Sequence, residues 1–177
     1  MNYNPDFHHR RSIRLHGYDY SQAGAYFITM CSYQKQPFFS TIRQNAIILS
    51  DIGEMVAEEW LNSAIVRPEI ALDGWVIMPN HMHCIVVLHS LVTEEREHHL
   101  EPEHKGIVRR EAHSLATCIG GFKGAVTRRV NTVSSTQQAV WQRNYYERVI
   151  RNERELNAYR TYIVLNPQRW NHDEHYV

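Results

Sequence analysis

Apolar and polar residues along this chain recur in two periods, and the changes between them delimit the expected elements. Ala25 to Tyr33 (AYFITMCSY) is rich in β-formers and reads as a strand. Gln34 to Gln44 reads as a connection, and Ala46 to Leu49 fits a short edge strand. Asp51 stands where a helix N-cap is expected, with Glu54 three residues on in a capping-box-like start. Ile52, Met55, Val56, Trp60 and Ile65 supply the apolar positions of a helix running to about Ile65. Ile70 to Met78 reads as a second main strand, Pro79-Asn80 as a turn, and His81 to Leu88 (HMHCIVVL) as the strand that closes a hairpin. Residues 91–111 are charged, His-rich and aperiodic, and read as a long flexible loop. Ser114 to Asn131 has Leu115, Cys118, Ile119, Phe122 and Val126 at helical spacing, although Gly120, Gly121 and Gly124 weaken it or permit a close approach. Tyr145 to Ile150 reads as a last strand, and Arg151 to Asn166 as a helix ended by Pro167.

The order strand, helix, strand, strand, helix, strand predicts the split βαβ arrangement of ferredoxin-like folds. The expected class is α+β: an antiparallel sheet with helices packed on it, and a further C-terminal helix. The 177 residues suit one domain spanning 1–177, with 1–21 as a basic N-terminal arm. No apolar run approaches the ~18 residues of a membrane span, and the N-terminus does not read as a secretory signal. Cys31, Cys84 and Cys118 contain no C-x-x-C pair and read as buried free thiols, which suits a cytoplasmic protein.

The formal net charge is zero, but arginine heavily outnumbers lysine and is clustered. Candidate phosphate contacts are Arg11 and Arg14 in the arm, Lys123, Arg128 and Arg129 on the second helix, and Arg143 and Arg148 around the last strand. Trp141, Tyr145 and Tyr146 are interleaved with the last group, as stacking on unpaired bases requires. The plain alternative is aromatic packing with solvated arginines.

Two other patterns carry candidate chemistry. His81 and His83 share one face of their strand, ~7 Å apart along it, where two imidazoles can converge on an ion. Ile85 and Val87 continue that face, while Met82, Cys84, Val86 and Leu88 line the other, so both faces call for cover. Two histidines are too few for a zinc site, and further polar groups or a substrate phosphate would have to complete it, as suits Mg²⁺ or Mn²⁺. Tyr162 and Asn166 are neighbours on the last helix, beside an apolar stripe of Leu156, Tyr159 and Ile163. A tyrosine hydroxyl beside a cation-bound phosphate can act as a nucleophile. Structural roles remain open for both patterns in a chain with 12 histidines and 10 tyrosines.

Three segments, RSIRLHGYDYSQAGAYFIT (11–29), WVIMPNHMHCIV (75–86) and WQRNYYERVIRNERELNAYRTYIVLNP (141–167), together resemble the REP-associated tyrosine transposases, single-tyrosine relatives of HUH-motif transposases. The resemblance spans nearly the whole chain. It implies a ferredoxin-like core with the histidines on a central strand, His81 and His83 as ligands of Mg²⁺ or Mn²⁺, and Tyr162 as nucleophile. It also implies Asn166 as a third ligand, where relatives often carry the longer glutamine. The arm with Arg11 and Arg14 matches the part that reads a short tag beside the palindrome. The implied activity is nicking and joining of single-stranded, palindromic (REP-type) DNA hairpins through a 5′-phosphotyrosine, by a monomer or homodimer. The alternatives are a non-catalytic hairpin-binding regulator, an HUH nuclease of replication initiation, and a metal phosphodiesterase that uses water.

Overall fold

The computed structural model describes residues 22–89, 113–135, 137–173 and 175–176. The arm with Arg11 and Arg14 and the loop at 91–111 lie outside the described residues. Strand β1 is Gly24–Cys31, β2 Ser40–Arg43 and β3 Ala46–Leu49, followed by helix α1, Asp51–Val66. Then come β4 (Ile70–Ile77), β5 (His81–Leu88), α2 (Leu115–Ser134), β6 (Tyr146–Ile150) and α3 (Glu153–Leu165). Four strands make one antiparallel sheet in the order β4-β5-β1-β6. With α1 before β4 and α2 before β6, this is the expected split βαβ topology, and β2 and β3 form a separate hairpin ahead of α1.

The alternation along β5 sorts the two sides of the sheet. Met82, Cys84, Val86 and Leu88 enter the larger core, with Val56 and Trp60 of α1 and Leu115, Cys118, Ile119, Phe122 and Val126 of α2. The other face carries Phe27, Val76, Met78, Ile85 and Ile150, covered by Ile163, Leu156 and Tyr159 of α3. Covering both faces is what the two apolar stripes of β5 require. The helices are capped: Ser50, Ser114 and Asn152 each accept a backbone N–H from the first turn.

Several boundaries differ from those expected. The cap of α1 is Ser50, not Asp51, because the Ser50 hydroxyl reaches Gly53 N at 3.1 Å while also donating to the Phe38 carbonyl at 2.6 Å. The stretch read as a connection contains β2, which pairs with β3 from Ser40 to Leu49. Ile65, assigned to the apolar side of α1, is 79% exposed. Pro167 does not simply stop the last helix, since a 3-10 turn continues through Pro167–His172. Strand β4 is interrupted by a register shift between Leu72 and Trp75, so Asp73 and Gly74 form a bulge. Among the described residues no helix is long and apolar enough to cross a membrane.

Gly53 marks the tightest junction between α1 and the rest of the fold. A Cβ there would run into the carbonyl of Phe39, the residue that also accepts the Ser50 N–H. Gly53→Ala, normally favourable in a helix, should therefore destabilise the protein by ~1–3 kcal/mol in urea unfolding. Unchanged or increased stability would show that the Phe39 segment yields freely.

Candidate active site

The tight Pro79-Asn80 turn brings the chain into β5 so that the histidines begin the strand. Met78 N donates to His81 O at 2.8 Å, while the Asn80 carbonyl accepts from Ser32 N and the Pro79 carbonyl from Phe39 N. In the β1–β5 register Cys31 stands opposite His81 and Thr29 opposite His83. Both imidazoles are buried, His81 at 0% and His83 at 1% exposure.

Each ring is held from behind through Nδ1. His81 Nδ1 meets Asn80 Oδ1 at 2.9 Å, and Asn80 Nδ2 donates to the His175 carbonyl at 2.7 Å. That second bond fixes the orientation of the amide, so Oδ1 must accept and His81 must carry its proton on Nδ1. His83 Nδ1 lies 2.8 Å from Thr29 Oγ1, which can either donate or accept. The two Nε2 atoms face each other at 3.0 Å. With the His81 Nε2 lone pair exposed, His83 must supply the proton between them, and Thr29 then donates to His83 Nδ1. Two nitrogens bound to one ion at about 2.1 Å and at right angles also lie about 3 Å apart. The same pair can thus hold a cation once Thr29 accepts from His83 Nδ1 instead.

Asp173, just past the 3-10 turn, completes the cluster. Its carboxylate and one nitrogen from each histidine all lie within 4.8 Å of one another. Asn166 is buried at the end of α3, and its Nδ2 donates to Asp173 Oδ2 at 3.2 Å. Its Oδ1 is buried with no hydrogen-bond partner. Asn166 therefore stands behind the carboxylate, and it offers a further oxygen that is otherwise unsatisfied. Two imidazole lone pairs and a carboxylate form a donor set that fits a divalent cation with mixed nitrogen and oxygen preference.

Tyr162 reaches this cluster from α3. Its hydroxyl is 3.3 Å from His83 Nε2, and the two rings are 5.1 Å apart. Tyr159, one turn earlier, lies flat on Phe27 with centroids 4.4 Å apart and belongs to the core under α3. The helix that carries both is clamped to the β4 bulge: Arg160 donates to Asp73 through Nε at 3.0 Å and Nη2 at 2.6 Å. Ile163 packs over Gly74 in the same bulge. The Arg160 guanidinium holds the Asp73 carboxyl below its ordinary value. One chain thus brings its own tyrosine to its own histidines.

The expected basic residues divide. Lys123 donates to the Gln142 and Asn144 carbonyls, bracing the segment before β6. Arg129 pairs with Glu58 and, at 3.3 Å, with Glu59, tying α2 to α1. Arg128 and Arg143 are exposed and line a groove of about 670 Å³ with Trp141 and Lys123. Arg148 lines a separate cavity beside His83 and Tyr162. Asp173, Asn80, Thr29 and His175 were not among the candidates drawn from the sequence, and no periodic signal marks them.

No family model matches the chain. An uncharacterized protein of Haemophilus influenzae is 36% identical over 176 residues, 99% of this chain and 97% of that one. The two belong to one family. A REP-associated tyrosine transposase, in its structure bound to a REP hairpin, matches with a TM-score of 0.58 at 18% identity, over 88% of this chain and 73% of that one. The chain has the fold of the REP-associated tyrosine transposases. That fold is the one the resemblance implied, with the histidines on a central strand and the tyrosine on the helix after the sheet.

Burial drives both imidazoles well below their ordinary value of 6.5. The charges of His175 and Lys35 act on His81 in the same sense, and that of His81 on His83, with Asp173 opposing. Both are therefore neutral at pH 7, as ligands must be. Because the folded values lie below the unfolded one, their contribution to stability is complete above 6.5 and is lost as the pH falls below it. Urea unfolding in chelator should accordingly give a lower free energy near pH ~5.5 than near ~7.5. A flat profile would mean that the folded histidines accept protons freely.

The tautomer argument makes its own prediction. In chelator, ¹⁵N NMR should find His81 protonated on Nδ1 and His83 on Nε2. Thr29→Val removes the acceptor that a cation-bound His83 needs, and should weaken Mn²⁺ binding roughly 10-fold by calorimetry. Equal affinity would remove Thr29 from the site.

Proposed function

We propose that this protein nicks and joins single-stranded DNA at palindromic hairpins, using Tyr162 as nucleophile and a divalent cation held by His81, His83 and Asp173. The observation that carries this reading is the approach of the Tyr162 hydroxyl to His83 Nε2, at 3.3 Å, beside a donor set suited to a cation. The REP hairpin bound by the transposase of the same fold supports the substrate class. Asn166 orients Asp173 and offers its free Oδ1 as a fourth donor. Mg²⁺ or Mn²⁺ at these groups would withdraw charge from the scissile phosphate.

The protein's own share is positioning. Asn80 and Thr29 hold the two imidazoles, and the Asp73–Arg160 clamp sets the height of Tyr162 above them. The phenolic oxygen forms a bond to phosphorus while the bond from phosphorus to the 3′-oxygen breaks. The phenolic proton leaves to solvent and the departing 3′-oxygen takes one up, giving a 5′-phosphotyrosine and a free 3′-hydroxyl. Attack by a second 3′-hydroxyl reverses the sequence and joins strands. Arg128 and Arg143, on the rim of their groove, suit the phosphates of the hairpin, as do Arg11 and Arg14 in the arm, while Trp141 is buried against Phe39 and Phe122 and serves the core.

A covalent-trapping gel tests this reading. Labelled hairpin DNA with single-stranded flanks, incubated with protein and Mn²⁺ and then denatured, should give a protein–DNA adduct. Tyr162→Phe and His83→Ala should abolish it, while Tyr159→Phe keeps it. Cleavage without any adduct would point to water as the nucleophile. Tight binding with neither cleavage nor adduct would favour a regulator that only grips hairpins.

A further inference from the structure

A cavity of about 400 Å³ opens beside the tyrosine, with Lys35, Tyr146, Arg148 and the single acid Glu147 in its lining as well as His83 and Tyr162. Its size falls in the ~300–1,000 Å³ range of small-molecule sites. Tyr146 and Lys35, among its walls, have no role in the chemistry derived above. Tyr146 is 48% exposed, and in register with Thr29 it stands on the same face of the sheet as the histidines. Lys35 is half-buried, and its ammonium has no hydrogen bond or ion pair among the described residues.

The backbone under Lys35 is costly. Gln34 and Lys35 both take left-handed conformations, at φ 53° and 55°, which side chains with a Cβ rarely adopt. The turn is braced rather than loose: Ser32 Oγ donates to Gln36 O at 2.7 Å, and Ser32 N donates to Asn80 O at 2.8 Å. The same Asn80 that orients His81 thus anchors the strained turn. Strain held in place at a site edge suggests that the side chain it aims has a use. Lys35 is also near enough for its charge to act on His81.

We infer that this cavity is a mononucleotide subsite, in which Lys35 grips a backbone phosphate and Tyr146 stacks on the attached base. The inference rests on the proposed DNA chemistry and deepens it: the subsite receives the nucleotide that flanks the scissile phosphate. A half-buried cation with no anion among the described residues suits one, and phosphate is the anion that a strand brings with every base. An exposed ring across the cavity offers a stacking face to any base, so the subsite holds a nucleotide in place without choosing its identity.

The test needs no cleavage. 2-Aminopurine deoxyribonucleoside 5′-monophosphate, and the same nucleoside without phosphate, would be titrated in chelator against the Tyr162→Phe protein, with base fluorescence as the readout of stacking. The nucleotide should be quenched and bound roughly 10-fold more tightly than the nucleoside. Lys35→Gln should erase that preference while leaving nucleoside binding intact, and Lys35→Arg should restore it. Tyr146→Ala should weaken both ligands and remove the quenching. No quenching in the Tyr162→Phe protein, or a preference that survives Lys35→Gln, would overturn the subsite. If these results hold while the trapping gel gives no adduct, the subsite stands and the nucleophilic reading falls. An adduct together with unchanged nucleotide binding in the variants would keep the nucleophile and remove the subsite.

Discussion

Strand β5 must satisfy two faces at once, and the rest of the molecule is arranged around that requirement. Met82, Cys84, Val86 and Leu88 need the core under α1 and α2, which fixes the register of β5 against β1 and β4. A slip of one residue would turn the whole apolar set outward and carry the histidines into that core. Burial of one stripe therefore places His81 and His83 on the other, opposite Cys31 and Thr29. Their proximity is a by-product of packing that no polar contact could impose alone.

The second face is covered by α3, and here cover and chemistry coincide. Leu156, Tyr159 and Ile163 seal the apolar surface, while Tyr162 and Asn166 fall along the edge that meets the histidines. The bulge in β4 decides how α3 lies. It turns Asp73 toward Arg160 and leaves Gly74 beneath Ile163, so one irregularity on an edge strand sets where the tyrosine hydroxyl sits. A regular strand would have sent Asp73 along the ordinary alternation, away from one of these two contacts.

Much of this was legible because it is local. The two-residue period of β5 put both histidines on one face, and the four-residue spacing of Tyr162 and Asn166 put them on one edge of a helix. The topology followed from the order of periods. What was not legible depends on distant groups meeting. Asp173 lies beyond a 3-10 turn with no periodicity, and only the folded chain brings it to His81 and His83. Charge clusters were visible, but their engagements were not: Lys123 and Arg129 face carbonyls and acids of the same chain, while Arg128 and Arg143 stay exposed. The cap of α1 lies one residue earlier than expected because Ser50 answers to Phe38 and Phe39, which the local sequence does not reveal.

The hydroxyl of Thr29 has one further consequence. It can donate to His83 Nδ1 or accept from it, so the ring can move its proton from one nitrogen to the other without losing its partner. The histidine pair is neutral at pH 7 and would stay neutral as ligands of a cation. A cation held there would require rotation of a hydroxyl and relocation of one proton within the imidazole, with no net proton given up by either ring. Above the range in which free histidines titrate, the two rings would therefore add nothing to the pH dependence of cation uptake.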